Sequence, residues 1–191
     1  MKKKIRWITE TALMLAVLVA LQALTRGFGQ LVTGSCVNAV LAVTVLVVGL
    51  SSGLAVAAVS PVMAFLFGIA PNFVTVLPIM LGNAAWVLVL WALGGKKQSP
   101  LWLRCAGVCV GAAVKFCVLY LLVVKVICGV AAGALLGKKL GETVLLAPPM
   151  LEKLPAMFTW PQLLTALLGG AVALPVAAML RRALKKQGGV G

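Results

Sequence analysis

Lys115 stands inside an apolar run that extends from about Leu101 to Cys128. It lies about 14 residues into that run, roughly 21 Å along a helix rising 1.5 Å per residue. An ammonium at such depth in hydrocarbon costs roughly 2.5–3.5 kcal/mol on insertion scales. It needs a partner, a wet cavity or a way out. The only acid within or near an apolar run is Glu10, at the inner end of the first one. Two readings follow. Either a ligand carboxylate or phosphate supplies the counter-ion, or the lysine snorkels outward along its helix. Lys125, closer to the outer boundary, fits snorkelling better.

Polar amides and aromatics on this run and on or beside others could line a cavity with Lys115: Asn38, Asn72, Asn83, Trp86, Tyr120 and Gln162. Buried amides offer donors and acceptors together. For Trp86, Tyr120 and Trp160 the competing role is lipid packing or interface anchoring. Covalent chemistry has little to work with. The chain has no histidine, which removes most hydrolytic triads, proton relays and zinc sites. It has no GxxxxGK[ST] motif, so ATP hydrolysis through a P-loop is not expected. Cys36, Cys105, Cys109, Cys117 and Cys128 lie mostly in apolar runs and read as small packing residues. Neither a catalytic residue, a cofactor nor a metal is expected.

The elements that would position these groups are membrane helices. Of 191 residues, 63% are hydrophobic and 10% charged, more apolar surface than a soluble domain of this size can bury. The runs predict an all-α membrane protein of six spans, at about 8–24, 37–50, 54–69, 73–93, 101–128 and 161–180, forming one integral membrane domain over 1–191. Turn chemistry separates them at Gly27, Gly29 and Gly34, at Ser51-Ser52-Gly53, at Ala70-Pro71-Asn72, at Gly94-Gly95 and at Pro148-Pro149. The basic start followed by an apolar run resembles a signal peptide without a convincing cleavage site, and reads as a retained first helix.

The formal charge of +14 sits in clusters between the runs, a topology signal rather than a nucleic-acid footprint. With the N-terminus inside, the inner side carries Lys2, Lys3, Lys4, Arg6, Lys96, Lys97, Arg104, Arg181, Arg182, Lys185 and Lys186. The outer side carries Arg26, Lys138, Lys139 and Lys153. That asymmetry predicts both termini in the cytoplasm. The longest outer segment, 129–160, carries Gly129, Gly133, Gly137 and Gly141 at four-residue spacing. It reads as a flexible or partly helical connection, or as a lid over an outward-facing pocket.

Ala12, Ala16 and Ala20 form a small-residue stripe on the first helix. Gly169, Ala173 and Ala177, and Gly107 and Gly111, form similar rows. Such rows let helices approach closely, within the bundle or against a separate subunit.

Together with Thr11-Ala12-Leu13-Met14-Leu15-Ala16, the segments Gly34-Ser35-Cys36-Val37-Asn38-Ala39-Val40-Leu41 and Ser60-Pro61-Val62-Met63-Ala64-Phe65-Leu66-Phe67-Gly68-Ile69 carry a whole-chain resemblance. The chain resembles the substrate-binding S components of energy-coupling factor (ECF) vitamin transporters. The resemblance implies a subunit that binds a vitamin or related micronutrient near the outer face. It implies partners as well: a transmembrane coupling subunit, contacted through alanines placed like Ala12, Ala16 and Ala20, and two ATPase subunits. It further implies a pocket built from the fourth to sixth helices and the outer loops. No signature for riboflavin, thiamine or biotin is matched. In that setting Lys115 would pair with an anionic group, and Asn38, Asn83, Trp86, Tyr120 and Gln162 would supply hydrogen bonds and stacking. The alternatives are an autonomous secondary transporter or channel, which the lack of membrane-embedded acids disfavours, a structural membrane subunit, and a membrane enzyme, for which the chain offers little catalytic machinery.

Overall fold

The structure, a computed structural model, describes residues 2–70, 72–96, 99–141 and 143–187. Pro71 and Lys97, which enter the turn and charge readings above, lie outside them. The fold is helical apart from one short hairpin. Its helices are α1 (Lys2–Thr25), α2 (Gln30–Val47), α3 (Leu50–Leu66), α4 (Val76–Gly94), α5 (Leu101–Leu119), α6 (Ala132–Leu135), α7 (Met150–Met157) and α8 (Trp160–Gln187). A π-helical stretch, Tyr120–Val130, prolongs α5 without a break.

Among the described residues five helices are long and apolar enough to cross a membrane, and the chain is a membrane protein. Helix α3 is apolar but has only 17 residues. Helices α2, α3, α4, α5 and α8 pack round a core that includes Leu41, Val45, Val56, Trp86, Leu90 and Ala173. Helix α1 is peripheral: 11% of its apolar window is buried, against 33–44% in the other four long helices.

The most extensive contact joins α2 to α8. Small residues permit it. A Cβ on Gly169 would sit 2.6 Å from the Ser35 carbonyl oxygen and 2.7 Å from the Asn38 Cβ. The row Gly169, Ala173 and Ala177 is buried, as are Gly107 and Gly111, so these serve packing within the bundle. Ala12, Ala16 and Ala20 are all exposed.

Polar contacts fix the relative directions of α1, α2, α3 and α8. Asn38, midway along α2, meets Thr165 near the start of α8, and Leu46, at the end of α2, meets Arg181 in the later part of α8, so the two run parallel. At the Arg181 end the Trp7 indole donates to Ser51 Oγ at 2.9 Å, and the Thr11 and Ser52 hydroxyls lie 2.7 Å apart. Both described termini therefore share one end of the bundle. The turns after α1 and α3 and the segment between α5 and α8 share the other.

Several element boundaries differ from the sequence reading. Helix α2 begins at Gln30, seven residues early, and takes in Gly34, which is no break. The turn into α3 falls at Val48–Gly49 rather than at Ser51-Ser52-Gly53. Gly49 has φ +129°, a conformation that favours glycine. Ser51 and Ser52 sit in the first turn of α3 and spend their hydroxyls on α1.

The segment 129–160 is structured. Strands β1 (Lys139–Leu140) and β2 (Thr143–Val144) pair antiparallel, and α7 follows. Only Gly137 and Gly141 of its spaced glycines adopt positive φ. Leu146, Leu154 and Phe158 pack on Leu119 and Val123 as a second small core. This segment is anchored to the π-helical stretch and roofs the end of the bundle away from the termini.

Candidate functional site

A cavity of about 240 Å³ lies under that roof. Helical spacing turns a set of side chains into it from each wall. Gln22 and Arg26 come from the end of α1 and its 3₁₀ turn. Gly34, Val37 and Asn38 share one face of α2; Ser60, Pro61 and Ala64 share one of α3. Ile79 and Asn83, four apart, come from α4, and Lys115 from α5. Met157, Phe158 and Gln162 close the top.

Lys115 is 3% exposed and does not snorkel. Its Nζ donates to Asn38 Oδ1 at 2.6 Å and to Asn83 Oδ1 at 2.7 Å. Such short contacts belong to charge-assisted hydrogen bonds. Its acceptors are amide oxygens, not carboxylates. An ammonium has three N–H donors, so these two bonds leave one over.

The asparagines are oriented by their surroundings. Asn38 Nδ2 donates to Thr165 Oγ1 at 3.3 Å, which aims its Oδ1 at Lys115. Thr165 Oγ1 in turn donates to the Gln162 carbonyl at 3.2 Å. The Trp86 indole N–H donates to the Asn38 backbone carbonyl at 3.3 Å. Three buried polar atoms of the cavity-lining residues have no partner: Gln22 Oε1, Ser60 Oγ and Asn83 Nδ2. Buried polar atoms are ordinarily paired, and an orphan asks for a role.

The roof is held by two amides. Gln30 Nε2 donates to the Met157 carbonyl at 2.6 Å and Gln162 Nε2 to the same oxygen at 3.1 Å. Thr33 Oγ1 donates to the Thr25 carbonyl at 2.8 Å and ties α2 to the end of α1.

Four of the sequence-derived candidates thus line one cavity: Lys115, Asn38, Asn83 and Gln162. Trp86 does not. It is fully buried in the core against Gly111, where a Cβ would come within 2.9 Å of its ring, and acts on the site only by holding Asn38. Tyr120 does not either. It stacks on Phe116 with ring centroids 5.9 Å apart, and the exposed Lys125 places Nζ 5.6 Å from its ring. Asn72 caps the 3₁₀ turn before α4, accepting from the Val74 N–H at 3.2 Å. The walls also depart from the expectation of the fourth to sixth helices, because α1, α2 and α3 supply a large share.

Sequence reasoning missed Gln22, Ser60, Thr165 and Gln30 as members of the site, and counted Arg26 only as a loop charge. A signal existed for two of them: Gln22 interrupts an apolar run, and it precedes Arg26 by one helical turn. The cysteines are all unpaired, and among the described residues no group of three or more His, Cys, Asp or Glu could hold a metal. No known protein family, curated protein or solved structure matches this chain.

Proposed function

We propose that this chain is the substrate-binding subunit of an ATP-driven importer of the ECF type. It captures a vitamin or related micronutrient with an anionic group from outside the cell. In this reading the chain crosses the plasma membrane six times, α3 included, with both termini in the cytoplasm. The observation that carries the proposal is the Lys115 cavity. It holds a buried cation that meets no carboxylate among the described residues, beside unpaired polar atoms, at the end of the bundle opposite the basic tail Arg181–Lys186. A buried ionisable group at membrane depth marks a ligand or ion path by default. The positive-inside tendency then puts the cavity at the outer face.

The exposed Ala12, Ala16 and Ala20 on the least buried helix support a partner. They leave a smooth strip against which the helix of a coupling subunit can close. That subunit and two ATPases would supply the energy, since the cavity offers binding groups and no nucleophile–base pair.

Two measurements test the reading. Native mass spectrometry of the purified chain should find a small molecule that Lys115→Met no longer retains. Uptake in proteoliposomes should require ATP and the partner subunits. Uptake by the chain alone, driven by an ion gradient, would instead identify a secondary transporter.

A further inference from the structure

The arrangement of unpaired groups narrows the ligand. We infer that the cavity selects a small monocarboxylate of about ten non-hydrogen atoms that also carries an N–H or O–H donor. This rests on the importer reading for its assumption that the cavity holds the cargo.

Size comes first. A volume of about 240 Å³ holds about eight water-sized units. That suits one ring or a short chain better than a multi-ring molecule. Charge comes second. The remaining Lys115 N–H and the unpaired Asn83 Nδ2 belong to neighbouring side chains, already joined through Asn83 Oδ1. Two adjacent donors, one of them on the ammonium, suit the two oxygens of a carboxylate. A phosphate dianion would bring more oxygens and charge than one buried lysine and one amide answer. Arg26 is exposed at the rim, where it raises the local concentration of anions without being buried against them. Polarity comes third. Gln22 Oε1, on the α1 wall, is an acceptor, and Ser60 Oγ on the α3 wall can donate or accept. A bound molecule that leaves Gln22 Oε1 unpaired forfeits binding energy, so a donor on the ligand is selected. Val37, Ile79 and Phe158 supply apolar walls for its body.

The test is a melting-temperature and calorimetric screen of the purified full chain. The probes are benzoate, 4-aminobenzoate, 4-hydroxybenzoate and hexanoate, each with its primary amide, plus phenyl phosphate and riboflavin. The expected result is that at least one carboxylate binds and its amide binds at least about tenfold more weakly. The amino or hydroxy acid should also exceed benzoate. Lys115→Met should weaken that binding about 100-fold. Asn83→Asp keeps the side-chain shape and gives Lys115 an internal carboxylate, so the folded variant should lose carboxylate binding. Preference for an amide, for phenyl phosphate or for riboflavin overturns the ligand class and leaves the importer reading standing. Unchanged carboxylate affinity in folded Asn83→Asp also overturns the class. A chain that binds none of these probes, and purifies without any small molecule, overturns both.

Discussion

Lys115 and Arg181 are held near opposite ends of this bundle, and among the described residues neither meets a carboxylate. Lys115 is gripped by side-chain amides, Asn38 and Asn83, beside a cavity with unpaired polar atoms. Arg181 is gripped by backbone. Its Nε donates to the Leu46 carbonyl at 2.8 Å, its Nη2 donates to the same oxygen, and Nη2 also reaches the Gly95 carbonyl at 3.5 Å. Leu46 lies in the last turn of α2, where carbonyls have no helical donor and the dipole is negative. Arg181 is therefore a cap that joins α8 to the ends of α2 and α4. The depression beside it is larger, about 700 Å³ against about 240 Å³, and size alone would favour it as the binding site. The difference lies in the acceptors. Backbone carbonyls at a helix end are fixed and need a donor in every state of the protein. Arg181 Nη1 is itself buried without a partner, so orphaned atoms do not tell the two apart; side-chain amides can turn and exchange partners when a ligand arrives.

The harshest way to break the comparison removes both sites together. Gly169→Val places methyl groups where Ser35 and Asn38 already stand, in the contact that aligns both Asn38–Thr165 and Leu46–Arg181. Overpacking of this kind costs about 3 kcal/mol. The expected outcome is a large loss of thermal stability in detergent together with loss of ligand binding. A variant that melts like the parent would show that α2 and α8 are not in close contact.

Single substitutions separate the two cations. Lys115→Met should lower ligand affinity about 100-fold while stability changes by less than about 1 kcal/mol, because water in the cavity can serve the amide oxygens. Arg181→Met should do the reverse. Stability should fall by about 2 kcal/mol as the α2 end loses its donor, with ligand affinity unchanged. Calorimetric binding and denaturant unfolding on the same preparations check both. Equal effects on stability and binding from either variant would erase the distinction.

Much of this contrast is legible in the sequence, for a physical reason. Lys115, Asn38 and Asn83 stand out because polar groups are costly in apolar runs and must be answered. Ser60 and Thr165 do not stand out, because helical hydroxyls usually bond to their own backbone; Thr165 does so even here, to the Gln162 carbonyl at 3.2 Å, while accepting from Asn38. Thr44 does so at 2.7 Å to the Val40 carbonyl, and Ser35 at 2.7 Å to Leu31. Which hydroxyl departs from that habit depends on its tertiary neighbours. Composition places Trp86 and Tyr120 on helices but cannot say which face they take. The early start of α2 is hidden because Gln30, Thr33 and Gly34 face the cavity, so hydropathy alone cuts the helix short. Ser51-Ser52-Gly53 looks like a turn, yet α1 supplies partners for both hydroxyls and the break moves to Gly49.

The mildest tests probe what surrounds Lys115. Trp86→Phe keeps the ring in the core and deletes one N–H, leaving the Asn38 carbonyl without its indole donor. A single such bond contributes about 1 kcal/mol. Stability should fall by about that much, and affinity by a few-fold, since Asn38 is held less firmly. Lys125→Gln tests the opposite expectation on the same helix. Its ammonium lies over Tyr120 on the exposed side, where a cation–π contact contributes about 0.5–1 kcal/mol at most. Two lysines ten residues apart should thus differ sharply: one governs affinity, the other leaves it untouched. Position along the helix, roughly 15 Å of rise, is only part of what separates them. The face is the rest, because the wall that carries Lys115 meets Asn38 and Asn83, while Lys125 meets an aromatic ring at the surface. Loss of binding in Lys125→Gln would move the ligand to the outside of α5 and undo the assignment of the cavity.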